Sequence, residues 1–340
     1  MNTALGERRL GKSGLDVGPM GIGTWAIGGL FHSGEGCHYP TGTPLGYGQV
    51  DDEESLRAIH CAVDLGAKLF DTADAYGTGH GERVLGRALK KKRGQVVVAT
   101  KFGNTYDEDS KALTGTDVSP AYIRRACEAS LKRLQTDWID LYQLHVGDLP
   151  IEHAGAVADT LEDLCDEGLI RTYAWSTDDP ERGAVFANRP WAVAVQFDMN
   201  VFEDAPKMLD VCDTHDFAGI IRVPLAMGFL SGKFTGERRL PRDDIRSHPP
   251  AWLRYFEDGG QAVAEWTERL DSIKEILASG GRTLAQGALA WVWGRSDRTI
   301  PIPGVRTMAQ VRENLGAIEF GPLEPDQMGT IDRLLERSAT

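Results

Sequence analysis

Four side chains of this 340-residue chain are spaced for proton chemistry at a carbonyl. Asp71 and Tyr76 stand in one segment, Phe70 to Gly77. Lys101 follows the β-branched run Val96 to Thr100, and His145 follows Ile139 to Leu144. A free tyrosine titrates at about pH 10 and is a poor acid at neutral pH. A neighbouring ammonium favours the phenolate, so Lys101 is expected to bring Tyr76 down to about 7 to 9. Asp71 would keep Lys101 charged and in place. His145 would orient a carbonyl oxygen or share its proton. Such a phenol can hand a proton to the alkoxide left when hydride adds to a carbonyl. The same lysine has a second reading, as a Schiff-base former of the aldolase kind. Asp71 opposes that use by keeping the amine protonated, and the alternative stays open here.

These residues need elements that bring them together. From residue 53 onward, short apolar runs alternate with amphipathic stretches. Strands are expected at Lys68 to Phe70, Val96 to Thr100, Ile139 to Leu144, Leu169 to Trp175, Val193 to Phe197, Gly219 to Val223 and Thr299 to Ile302, with an eighth at Met20 to Gly23. Helices are expected around 53–65, 81–92, 155–167, 262–279, 284–293, 307–316 and 325–336. Another opens at Ser119-Pro120, an N-cap followed by proline in the first turn. Gly66 and Gly168 stand where helices end in a left-handed residue. Short strands apolar on both faces, separated by helices, mean a parallel sheet. The fold class is α/β, a single (β/α)8 TIM barrel over residues 1–340, with a doubly wound open sheet as the alternative. Residues 1–20 read as an N-terminal hairpin around Gly11 to Gly14, and 26–50 and 234–260 as long loops. In such a barrel active sites lie at the C-terminal ends of the strands. Asp71, Lys101 and His145 are expected at three consecutive ends, about 4.8 Å apart from strand to strand.

Composition narrows the classes. Hydrophobic residues make up 41% and charged residues 26%, ordinary for a globular protein. The formal net charge of −13 argues against a nucleic-acid or anionic-membrane binder. The five cysteines, at 37, 61, 127, 165 and 212, include no CxxC pair, so they suggest an intracellular, cytoplasmic setting. No secretory leader and no membrane span are expected. His32, Cys37 and His38 match no standard metal spacing, so no metal is expected. Gly21 to Ala26 fits GxGxxA, but Gly28-Gly29 and a proline-containing loop follow where a dinucleotide-binding helix would have to open. That match is rejected. Arg306 ahead of the helix at 307–316 is a natural phosphate site, with Gln310 and Asn314 one turn apart on that helix.

Taken together these segments resemble the aldo-keto reductase family, in particular its bacterial short-barrel members. The resemblance rests on Asp71 to Gly77, Gly81 to Leu89, Ala99 to Lys101 and Asp140 to His145, and it covers nearly the whole chain. It implies a catalytic tetrad of Asp71, Tyr76, Lys101 and His145 and a nicotinamide cofactor held across the barrel mouth. NADP(H) is the implied cofactor, with NAD(H) the alternative. By the same resemblance Gly23, Thr24 and Trp25 lie beside the nicotinamide and substrate, and Ser176 and Gln196 hold the carboxamide. Pro224 to Lys233, with Leu225, Gly228, Leu230, Gly232 and Lys233, resembles the loop over the pyrophosphate. Gly304, Arg306, Gln310 and Asn314 resemble the adenosine-phosphate pocket.

Several positions depart from the family pattern. Thr177 stands where asparagine often follows the carboxamide serine. Arg222 stands where many members stack a tyrosine on the nicotinamide, and a planar guanidinium can also stack. Gly304 and Gln310 replace a lysine and an arginine of mammalian-type members, which leaves Arg306 to read the 2′-phosphate. The implied function is NADP(H)-dependent reduction of aldehydes or ketones, or the reverse on sugars or polyols. A cofactor-sensing subunit, similar to those of potassium channels, is the alternative within the family. The substrate is a small carbonyl compound or sugar. Loops 26–50, 102–118 and 234–260 would select it, and Phe31, Tyr39, Tyr47, Tyr106, Trp252, Tyr255 and Phe256 suggest a pocket for a ring.

Overall fold

The structure, a computed structural model, describes residues 5–234 and 239–337. Met1 to Ala4 of the expected hairpin and Thr235 to Arg238 of the expected loop 234–260 lie outside them. The strands are β1 (Gly21–Gly23), β2 (His32–Ser33), β3 (Leu69–Asp71), β4 (Val97–Phe102), β5 (Asn104–Asp107), β6 (Ala112–Thr116), β7 (Ile139–Leu144), β8 (Ile170–Ser176), β9 (Ala192–Asp198), β10 (Ala218–Arg222) and β11 (Thr299–Pro301). The α-helices are α1 (Asp52–Asp64), α2 (His80–Leu89), α3 (Pro120–Leu134), α4 (Ile151–Asp166), α5 (Pro180–Ala184), α6 (Pro206–His215), α7 (Ala264–Leu277), α8 (Leu284–Arg295), α9 (Met308–Gly316) and α10 (Pro325–Leu334).

Eight strands form one parallel sheet in the order β1-β3-β4-β7-β8-β9-β10-β11. The ring is closed by a single parallel bridge, Gly23 to Gly304. There the Gly23 N–H donates to the Pro303 carbonyl at 3.1 Å. A Cβ at Gly23 would sit 2.6 Å from the Ile302 carbonyl oxygen, so the closure needs glycine. This is the (β/α)8 barrel expected, and the open-sheet alternative is set aside.

The strand pleat sorts side chains into two sets, because successive residues point to opposite faces. Phe70, Val98, Tyr142, Tyr173, Val195 and Ile221 pack outward against the helices. Leu69, Val97, Ala99, Leu141, Ala174, Ala194, Ile220 and Ile300 pack inward as a separate cluster. Leu10 and Val17 join that inner cluster from below. They come from the N-terminal hairpin, tied by the antiparallel bridge Arg9–Asp16 and by the Leu10 N–H to the Leu15 carbonyl at 2.8 Å. Gly11, with φ of 47°, brings that hairpin so near β9 that a Cβ would lie 2.1 Å from the Val193 carbonyl oxygen.

Ser119 and Pro120 open α3 as expected, the Ser119 hydroxyl accepting from the Tyr122 N–H. Gly66 and Gly168 have φ of 90° and 77°. Two expectations change. Loops 26–50 and 102–118 are not plain loops, since β2, β6 and β5 pair as a small three-stranded sheet. A register shift between Thr105 and Tyr106 marks a bulge there. The helices α5 and α6 are also not expected from the sequence; α5 has only five residues, and the ten of α6 carry a short apolar face of Met208, Leu209, Val211 and Cys212.

Candidate active site

Continuing the inward set up each strand changes its chemistry. Above Leu69 stands Asp71, above Ala99 stands Lys101, and above Leu141 stand Gln143 and then His145. Ser176, Gln196, Asp198 and Arg222 follow on the next three strands. The barrel is apolar below and polar above, along the same pleat.

Lys101 is fully buried. Its ammonium donates to Asp71 Oδ1 at 2.5 Å, to the Thr72 carbonyl at 2.8 Å and to the Tyr76 hydroxyl oxygen at 3.3 Å. An ammonium has three N–H bonds, and all three are engaged. Burial works to lower its pKa, but Asp71 and then Tyr76 outweigh burial and hold it above the ordinary lysine range. A buried, charged amine with no free lone pair cannot attack a carbonyl, which counts against the Schiff-base reading. Asp71 is held in turn, its Oδ2 accepting from the side-chain amides of Gln143 at 2.9 Å and Gln196 at 2.8 Å.

Burial also acts on Tyr76, and more strongly than Lys101 does. The phenol is held above its ordinary range, not lowered as its lysine neighbour alone would suggest. It therefore stays protonated at neutral pH, which keeps it a proton donor. His145 faces it edge-on, with ring centroids 6.1 Å apart. Burial, then the charges of Lys101 and Arg222, push the imidazole well below its ordinary pKa. A neutral ring presents one N–H donor and one acceptor nitrogen. Its Nδ1 is buried and has no partner among the described residues.

Tyr76 and His145 border a cavity of about 560 Å³. Of the residues proposed for cofactor contact, Gly23, Trp25, Ser176, Gln196, Arg222, Pro224, Leu225, Gly228, Gly304, Arg306 and Gln310 line it. Thr24, Leu230, Gly232, Lys233 and Asn314 do not. Thr24 turns its hydroxyl to the Asp71 carbonyl at 2.9 Å. Leu230 and Asn314 are buried away from the cavity. Gly232 is the left-handed residue closing a short 3-10 segment, and Lys233 lies 3.7 Å from Glu313. Thr177, the departure beside Ser176, donates to the Gly147 carbonyl at 2.7 Å.

Of the loop aromatics, Phe31, Tyr39, Tyr47 and Trp252 reach the cavity. Tyr106 instead faces the Arg133 guanidinium. Tyr255 is buried and bonded to Asn200 and Glu203, and Phe256 packs against Phe229 and Phe234. Trp25 stacks on Tyr76 at 5.9 Å, meets Tyr47 edge-on at 5.3 Å, and is fixed by its indole N–H to the Leu45 carbonyl.

The far end of the cavity is tied across by backbone contacts. Arg306 donates to the carbonyls of Tyr47 and Gln49. Tyr47 bridges Asp244, and the Ile245 N–H donates to the Gly46 carbonyl at 2.8 Å. Gln310 accepts from the backbone N–H groups of Arg306 and Thr307, completing the cap of α9. Beneath this strap the chain after β10 takes left-handed φ at Val223, Ala226 and Met227, beyond the Gly228 that needs no excuse. Each non-glycine residue held there costs about 1–3 kcal/mol, and such strain gathers at ligand sites.

Among the residues of the site that the sequence did not single out are Gln143, Asp178, Asp198 and Arg246. Gln143 and Asp198 share the inward parity of His145 and Gln196, two positions away in each case, and that parity was the available signal. Arg246 pairs with Asp244 at 2.6 Å and lies 4.8 Å from the Tyr47 ring. Nothing local in the sequence points to it. Among the described residues no group of three or more His, Cys, Asp or Glu side chains is placed to hold a metal. None of the helices there is long and apolar enough to cross a membrane.

A parallel barrel with a polar ring around a buried, ion-paired lysine has counterparts among known proteins. The chain belongs to the aldo/keto reductase family, whose family model matches residues 19–336. It is an oxidoreductase of that family. It is 31% identical over 336 residues to the aldo-keto reductase YhdN of Bacillus subtilis, covering 97% of this chain and 93% of that one. It is 30% identical over 286 residues to the aldo-keto reductase yakc of Schizosaccharomyces pombe, whose name specifies NADP(+), covering 80% of each. Among solved structures it is similar to the glycerol dehydrogenase AKR11B4 from Gluconobacter oxydans. The TM-score is 0.79 at 28% identity, over 98% of this chain and 96% of that one.

Proposed function

We propose that this chain reduces aldehyde or ketone carbonyls with NADPH, and runs the same chemistry backwards on alcohols. The observation that carries the reading is the buried Lys101, which binds Asp71 with one N–H and the Tyr76 hydroxyl with another. The cofactor, when bound, supplies or accepts the hydride. The chain's own residues handle the proton. Tyr76 donates from its hydroxyl to the carbonyl oxygen, and Lys101, already hydrogen-bonded to that hydroxyl, stabilises the phenolate that remains. Neutral His145 offers a hydrogen bond to the same oxygen and so orients the carbonyl. Asp71, fixed by Gln143 and Gln196, keeps Lys101 charged.

The cavity fits a long dinucleotide, since one continuous lining joins Tyr76 and His145 to Arg306. Ser176, Gln196 and Arg222 would hold the nicotinamide end, Pro224 to Gly228 the middle, and Arg306 a phosphate. The name of the yeast relative supports NADP(H) over NAD(H). Trp25, Tyr47 and Trp252 give the carbonyl's substituent an aromatic wall.

Tyr76→Phe tests the reading. It removes the transferable proton and little of the cofactor's contact surface. We expect kcat/KM for nitrobenzaldehyde to fall about 10²–10⁴-fold, the usual worth of general acid catalysis, with NADPH affinity within a few-fold. A variant that keeps half its turnover would contradict the assignment.

A further inference from the structure

Three consecutive strand ends at the cavity carry charge. Asp178 follows β8, Asp198 ends β9 and Arg222 ends β10, and all three line the cavity beside His145 and Gln196. Arg222 reaches both acids, with Nη2 2.5 Å from Asp178 Oδ2 and Nη1 2.6 Å from Asp198 Oδ1. The clamp is braced, because Asp178 Oδ1 accepts the Asp198 backbone N–H at 2.8 Å. Each terminal nitrogen of the guanidinium thus lies within ion-pair distance of a different carboxylate, hydrogen-bonded to Asp178 and in electrostatic contact with Asp198. One cation between two anions leaves the cluster net negative. Arg222 sits close enough to act on the pKa of both Tyr76 and His145, so the cluster belongs to the reacting end of the cavity.

An oxidised nicotinamide ring is a cation and its reduced form is neutral. A bare arginine at this end would oppose the oxidised form. We infer that Asp178 and Asp198 are positioning residues that hold Arg222 at the nicotinamide end and reverse the sign of its field, so that the site favours NADP+ relative to NADPH. The inference rests on the function proposed above and extends it to the balance between the two cofactor forms.

The test is binding, not turnover. Dissociation constants for NADP+ and NADPH are measured by quenching of tryptophan fluorescence at pH 8, above the value of about 6 to which burial raises Asp198. The reading is the ratio of the NADP+ constant to the NADPH constant. Asp198→Asn and Asp178→Asn should each raise it about 3- to 10-fold, as for one unit charge lost within roughly 10 Å of another under partial screening. Arg222→Met should lower it by a similar factor. Asp178 is the more exposed acid, so its variant keeps the test open should Asp198→Asn fold poorly. A ratio unchanged in both asparagine variants would overturn the inference and reduce the acids to anchors. A ratio that moves the same way in Arg222→Met as in the asparagine variants would also overturn it, since geometry and not charge would then be at work. Wild-type protein that binds neither form would instead remove the function beneath it.

Discussion

The two ends of the barrel interior are built on one pleat and do opposite work. At the lower end the inward positions are Leu69, Val97, Ala99, Leu141 and Ala174, sealed by Leu10 and Val17. At the upper end, two residues further along the same strands, they are Asp71, Lys101, Gln143 and Ser176. The lower end gains from removing apolar surface from water. The upper end buries a charge and an acid, a costly arrangement that persists because each is fully partnered. Alternation in the sequence is therefore one signal with two meanings, decided by distance along the strand.

That contrast can be broken from either side. The largest separation is expected for Tyr76→Phe, whose loss of about 10²–10⁴ in rate should far exceed its effect on stability, a drop of about 1–3 kcal/mol from the Lys101 N–H left without its hydroxyl partner. At the other end, Leu10→Ala should cost about 2–5 kcal/mol of stability, as for other buried leucines. Its kcat, measured well below the melting temperature, should stay within about two-fold; a large kcat loss would mean that the plug also shapes the site. Arg306→Ala is expected to weaken NADPH by about 1.5–3 kcal/mol and NADH much less, read from parallel titrations. Equal losses would give Arg306 a purely structural task, consistent with its grip on Tyr47 and Gln49. The smallest effect is in pH. Burial raises Tyr76, so the acid form persists as pH rises, and kcat/KM for reduction should show no fall across the neutral and mildly alkaline range. A decline centred near pH 8 would restore the lowered phenol expected from the lysine alone.

The strand ends that carry Asp71, Lys101 and His145 were legible because each is bounded by apolar residues with a clear period. Ser119-Pro120, Gly66 and Gly168 marked helix ends by their own conformational preferences. The pairing of β2 with β5 and β6 was not legible. Those strands are short and polar at Asn104 to Asp107, and β2 meets its partner across some eighty residues of chain. The lowering of Tyr76 by Lys101 is readable from the neighbour's name, but the burial that outweighs it is not, because depth is not written in the sequence. The clamp of Asp178 and Asp198 on Arg222 depends on three strands arriving side by side, which no single segment records.

The barrel's closure has one more consequence. Between β7 and β8 the ladder registers five residue pairs, whereas among the described residues β1 meets the chain just past β11 through the single isolated bridge of Gly23 with Gly304. The ring therefore has a seam, and local opening should begin where the fewest hydrogen bonds must part. Both seam residues also border the cavity. The wall beside the ligand is thus the part of the barrel best able to breathe, and a ligand spanning Gly23 and Gly304 would act as a stitch, slowing amide exchange there more than anywhere else in the sheet.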